Sequence, residues 1–428
     1  MTPVRAARGM GTALLPMVFA TAVVAAMTLS PGLLGLVVAG VAVCCAAFAL
    51  WPWAVLPVTV IGGTTAGVGI GGGDVTTIVA THAAILGAGG LAVSLRLTFR
   101  VDSVRRTAAD VPMLGLTVSV VLAAVYGLAL GNPARDVLVG AYQIAVIPIY
   151  FWVAAQTLAS DRRLRAAAVL YLVPTVVLTV LALVTSSQTG GLIALLAVPP
   201  LIVLAGRSTG WSRAGFAVLA GLLLADVVVS MYRALWLAAA VAVVAMLIWG
   251  GRTLRGGLGA TVAVAAVGVV FLALASDIGD HVGALTLELQ DSPGYRSAES
   301  LVGMNVFVER PLTGAGLGQS VQDIYLPAFA KADVGPVYHA FYVTVLANIG
   351  IFGLIAVLWP LYRALRNGFL YRNGIAFGFA ALTCGFLAGA VFAGPTAGHW
   401  ELGLLPALTL IAGDLEGFRP AAPVGMET

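Results

Sequence analysis

Few side chains in this sequence are equipped for chemistry, and they gather between residues 226 and 401. Arg233 stands in SMYRALWLA (Ser230–Ala238), with apolar sequence on both sides. A guanidinium in such a setting costs a few kcal/mol unless it meets a cavity or a partner. Two readings are open. It pairs with Asp226, seven residues earlier, or reaches out to the interface; or it clamps an anion, since its planar fork matches phosphate oxygens two at a time. Arg296 opens a polar stretch and is either a solvated loop arginine or a second anion ligand. Arg310, next to Glu309, is a further candidate for that role. His339 lies in VYHAFY, where the chain turns back into apolar sequence. An imidazole titrates near neutrality and can take a proton from a hydroxyl. His399, in GHWELG beside Glu401, competes for the same polar pocket, whereas His82 sits in an apolar run and His281 in a polar loop. Arginines for an anion and a histidine for a proton suit an anionic, lipid-linked substrate attacked by a hydroxyl.

Other chemistries lack their residues. There is no HExxH, no DxD and no tight cluster of carboxylates, so no metal site is expected. No strand-turn elbow offers a serine nucleophile. GVGIGGGD (Gly67–Asp74) reads as a flexible turn rather than a phosphate loop. Cys44, Cys45 and Cys384 all lie in apolar runs and read as small buried hydrophobes.

The elements that must position these residues are membrane helices. The chain has 428 residues, 60% hydrophobic and only 9% charged, against about 25% charged in a soluble domain. Roughly fourteen apolar runs, most of them near the 17–25 residues that span a bilayer, follow one another. They do not alternate with period two, so they read as helices rather than barrel strands. With the N-terminus in the cytoplasm, 17 of the 22 basic residues fall on the cytoplasmic side, as the positive-inside rule requires. The basic pI near 9.1 therefore reflects membrane orientation, and no nucleic-acid partner is expected. The expected organisation is N-terminal transmembrane helices over 1–275, a large external loop over 276–336, and C-terminal helices with a short cytoplasmic tail over 337–428. Within the loop, 296–309 can form an amphipathic helix with Leu301, Met304 and Val308 on one side. PLTGAGLG (Pro311–Gly318) cannot continue it. The expected fold is thus an all-α polytopic bundle of about 12–14 helices in the cytoplasmic (inner) membrane, with its site on the external face.

The order of these pieces resembles the O-antigen ligase and polysaccharide polymerase superfamily. The resemblance rests on Ser230-x-x-Arg233, on Arg296 ahead of the Pro311–Gly318 turn, on His339 opening the next helix, and on L-x-x-x-G-x-x-G-L over Leu346–Leu354. Family members often carry asparagine after the histidine, where this chain has Ala340, and usually have about twelve helices. The resemblance implies a GT-C-like membrane glycosyltransferase, metal-independent and inverting, without a cofactor. It would move a glycan from a polyprenyl (undecaprenyl) diphosphate carrier to an acceptor hydroxyl of a glycan, lipid or wall polymer. Arg233 and Arg296 would hold the diphosphate, and His339 would be the catalytic residue that orients or deprotonates the acceptor hydroxyl. Polymerase and ligase both fit. The alternative from another class is a transporter that flips a lipid-linked glycan. Paired repeats and polar residues at mid-membrane would mark it, and here the polar residues gather at one external end.

Overall fold

The computed structural model describes residues 44–69, 75–185, 191–230, 232–275, 293–326, 329–334, 338–392 and 399–417. The first expected segment, most of the second and His281 lie outside them. Residues 44–50 are helical and stop at Trp51; a 3-10 turn at Pro52–Ala54 then leads into α1 (Val55–Gly69). There follow α2 (Val75–Thr98), α3 (Asp110–Ala129), α4 (Ala134–Thr157), α5 (Asp161–Thr185), α6 (Gly191–Arg207), α7 (Gly210–Val229), α8 (Arg233–Trp249) and α9 (Arg252–Ala275). The large loop contributes α10 (Pro293–Glu309) and an antiparallel hairpin of β1 (Val321–Leu326) and β2 (Phe329–Val334). The chain closes with α11 (Phe341–Gly368), α12 (Ile375–Gly389) and α13 (Glu401–Gly417). The fold is an all-α polytopic bundle, with the hairpin as a small addition in the large loop beside its helix.

Among the described residues five helices, α3, α4, α5, α7 and α11, are long and apolar enough to cross a membrane, and α6, α8 and α12 are shorter apolar helices. Their outer faces confirm the solvent: α5 exposes Val169, Val173, Val177 and Val180 along one stripe, which only lipid can cover without cost. Inside, α4 buries Ile144, Ile147, Tyr150 and Phe151 against α13. Small residues allow the closest crossings. A Cβ on Gly385 of α12 would come within 2.1 Å of the Ala238 carbonyl of α8, and one on Gly403 of α13 within 2.0 Å of the Ile147 carbonyl of α4.

The two ends of the bundle differ chemically. At one end Asp102 joins Arg96 (2.7 Å) and Arg163 (2.8 Å), Arg105 joins Asp414 (2.8 Å), and Arg207 joins Glu416 (2.9 Å). The Gly251 N–H donates to the Arg372 carbonyl (3.1 Å) at the same end. These are the arginine-rich connections that the charge pattern puts on one side of the membrane. The other end holds α10 and the turn bearing His339.

Candidate active site

His339 sits in the short turn that precedes α11. Three contacts lock that turn. The Tyr338 N–H donates to the Thr344 hydroxyl (3.0 Å), which in turn donates to the Tyr338 carbonyl (3.0 Å). The His339 N–H donates to Glu299 Oε2 (3.1 Å). The same carboxylate oxygen meets His339 Nδ1. Glu299 itself is 3% exposed, while the imidazole is half exposed. A carboxylate only accepts, so Nδ1 carries the proton and Nε2 is the nitrogen able to take another. This is the orienting arrangement of a general base: a half-exposed imidazole whose tautomer is set by a buried carboxylate.

Glu299 reaches His339 because α10 lies along α11. Val302 and Val306 pack on Tyr338, Ala347 and Val343, and Gly303 allows the approach, since a Cβ there would sit 2.4 Å from Val343 Cγ1. The face that packs is therefore not the side that carries Leu301, Met304 and Val308. Leu301 and Val308 are exposed, at 66% and 69%.

The stretch Pro311–Gly318 is a hook driven into the bundle. Gly314, Gly316 and Gly318 have φ of 66°, 81° and 83°, a region that costs any residue with a Cβ. The hook replaces part of a helix. Within α11, Gly350 is non-helical (φ 72°, ψ −166°), which breaks the usual bonds from residues 351 and 352 back to 347 and 348. Instead, Ala315 N–H donates to the Ala347 carbonyl (2.8 Å) and Gly316 N–H to the Asn348 carbonyl (3.1 Å), while Ile351 N–H donates to the Pro311 carbonyl (2.9 Å). The backbone groups freed at the break are thus satisfied by the loop, as a low-dielectric interior demands. Leu317, fully buried, is held by α3 and the turn after it: its N–H donates to the Ala123 carbonyl (3.2 Å), and Asn132 Nδ2 donates to its carbonyl (2.8 Å).

Arg233 is the first residue of α8, a helix whose N-cap Tyr232 offers no side-chain cap. Its uncapped N–H groups add positive potential beside the guanidinium. The first turn of α8 backs on the end of α12, where a Cβ on Gly389 would come 2.8 Å from the Ala234 carbonyl. One residue on, the Ala390 carbonyl accepts the Phe341 N–H (3.1 Å). Arg233 and His339 thus border the same junction. Arg233 does not pair with Asp226: the helix ends at Val229, and the buried Asp226 carboxylate takes the Thr179 hydroxyl instead (3.0 Å).

The remaining candidates divide. Arg296 lies in the first turn of α10, three residues before Glu299; its side chain is outside the described residues. His399 binds Glu401 (2.5 Å), and its ring packs edge-on against Phe341 at 4.6 Å. Both members of that pair are buried, so His399 supports the His339 turn from behind instead of lining an open pocket. Glu309 and Arg310 are exposed at the far end of α10, where Arg310 Nη1 donates to Tyr126 Oη (3.4 Å); they stand apart from the His339 junction. His82 is a core histidine bound to Tyr150 Oη (3.2 Å). Glu299 is the candidate that sequence reasoning passed over. In the sequence it is one more carboxylate in a polar loop, three residues after Arg296.

A family model described as O-antigen ligase matches residues 219–358. That range runs from α7 to the middle of α11 and includes Arg233, Arg296, Glu299, the glycine hook and His339. No curated protein and no solved structure matches the chain.

Proposed function

Because residues 219–358 carry the O-antigen ligase signature, we propose that this integral membrane protein transfers a glycan from a polyprenyl diphosphate carrier to an acceptor hydroxyl. The single observation that carries the reading is the Glu299–His339 pair, inside the matched range and beside Arg233. In this scheme the acceptor hydroxyl lies against His339 Nε2 and gives up its proton as its oxygen attacks the anomeric carbon. The bond from that carbon to the diphosphate oxygen breaks, and its electron pair leaves with the diphosphate. Attack from the side opposite the leaving group inverts the anomeric centre. Arg233, with the N-terminus of α8 behind it, and Arg296 at the start of α10 stabilise the charge that develops on the diphosphate. Glu299 steadies the imidazolium formed on His339. The reacting end is the one opposite the arginine-rich connections, hence the external face of the cytoplasmic membrane. Lipid-linked glycan is the donor, and a second carrier-linked chain or an envelope polymer is the acceptor.

The test is transfer in reconstituted vesicles. Purified protein is given an extracted polyprenyl-diphosphate glycan, beside the His339→Ala and Glu299→Gln variants. Longer glycans or a tagged acceptor, lost in His339→Ala at unchanged melting temperature, is the expected result. Product length separates polymerase from ligase. Movement of the lipid-linked glycan across the bilayer without transfer would overturn the enzyme reading in favour of a flippase.

A further inference from the structure

Among the described residues, helix α10 has an apolar face with no protein against it. Its inward side, Val302, Gly303 and Val306, is already spent on Tyr338, Ala347 and Val343. On the opposite side Leu301 and Val308, seven residues and two turns apart, are 66% and 69% exposed, with exposed Asn305 between them. A helix apolar on both faces is not at home in water. Nor does the exposed stripe end with the helix. Leu312 follows it at 56% exposed, and the hook bond from Ile351 N–H to the Pro311 carbonyl (2.9 Å) sets Leu312 beside the outer surface of α11. There Phe352 and Ile355 are 59% and 53% exposed, and the exposed Trp359 and Tyr362 continue along the same helix toward the arginine-rich end. That surface belongs to a helix long and apolar enough to span the bilayer, so lipid already covers it. The charged pair Glu309–Arg310, at the end of α10, is exposed as well, and charged side chains keep to water.

We infer that the Leu301–Val308 face of α10 lies in the membrane interface, covered by lipid continuous with the lipid around α11. The large loop is then a membrane-seated element, with Glu299 and the His339 turn on its protein side and acyl chains on the other. An interfacial helix of this kind buries its apolar edge about 5–10 Å into the headgroup and acyl boundary. The inference concerns where α10 sits and is independent of the glycan-transfer reading.

The experiment places a nitroxide at residue 301 or 308 of the full chain in lipid nanodiscs, in a background with Cys44, Cys45 and Cys384 replaced by serine. Residue 173 on α5 serves as the lipid benchmark and residue 309 as the water benchmark. Collision rates are read with oxygen, which concentrates in lipid, and with a water-soluble nickel chelate. The expected result is oxygen dominance at 301 and 308, at a depth of roughly 5–10 Å, with nickel dominance at 309. Nickel access at 301 and 308 equal to that at 309 overturns the inference. Exclusion of both reagents from 301 and 308 overturns it too, and points to a second copy or another protein on that face. If the serine background fails to separate residues 173 and 309, the unmodified chain is read instead with a lipid-borne carbene reagent. Labelling between residues 301 and 308 supports the inference, and its absence there alongside strong labelling of α5 refutes it.

Discussion

At the scale of single residues, the Glu299–His339 pair is the feature with the clearest consequences. Replacing His339 by alanine should lower the turnover of glycan transfer by about 10²–10⁴-fold, the usual worth of a general base. Glu299→Gln keeps the shape and removes the charge that supports the imidazolium, so a loss of at least about tenfold in kcat, with donor KM little changed, is expected. The double variant should be no slower than His339→Ala alone, because the two side chains act as one unit; steady-state kinetics in vesicles checks all three. Arg233→Lys retains a positive charge and loses the bidentate fork. A weaker donor interaction, about tenfold in kcat/KM, is the expected outcome of the same assay. Arg233 and His339 stood out as candidates in the sequence because each interrupts or borders apolar sequence, and Arg296 because it opens the amphipathic stretch of the loop. Glu299 did not, because a carboxylate in a polar loop gives no sign of the imidazole 40 residues away that it will meet.

At the scale of elements, the glycine hook determines how the loop is joined to the bundle. It completes the bonding of the broken helix α11, so its seating and the position of His339 are coupled. Gly127 of α3 lies under the hook: a Cβ there would come 2.2 Å from the Leu317 carbonyl, whereas one on Gly115 of the same helix meets nothing within 4 Å. Gly127→Ala should therefore destabilise the protein by about 1–3 kcal/mol, as overpacking does. Gly115→Ala should be neutral or slightly stabilising, since alanine is the better helix former. Thermal unfolding of the two variants in detergent compares them directly. The turn character of Pro311–Gly318 was readable from its composition, but its insertion between α3, α4 and α11 was not. Composition records that backbone groups are free to bond elsewhere without saying which carbonyls will receive them. Which face of α10 meets protein was not readable for a related reason. In a soluble protein the apolar side of an amphipathic helix is the packed side, but beside a membrane lipid competes for the same residues.

For the molecule as a whole, charge at the arginine-rich end ties together connections distant in sequence. Burial raises the Asp102 carboxyl, but hydrogen bonds and charge from Arg96 and Arg163 outweigh it and hold the group below its ordinary value. A depressed carboxyl stabilises the fold above its ordinary pKa of about 4, and that contribution disappears as pH falls through the lower, folded value. The gap in melting temperature between the natural chain and Asp102→Asn should therefore be full at pH 7 and close progressively below pH about 4. The same arginines show how far the sequence alone reaches. Residence in a membrane, the helical class, the segregation of basic residues to one side and the order of Arg233, Arg296 and His339 all follow from sums over contiguous residues. Hydropathy and charge are properties of that kind, and lipid enforces them segment by segment. Tertiary structure alone decided which acid faces His339, why α11 breaks at Gly350, that Asp226 turns to Thr179, and which side of α10 meets protein. Each depends on the register between elements far apart in the chain, and in an apolar solvent the buried and exposed faces of a helix are written in the same residues.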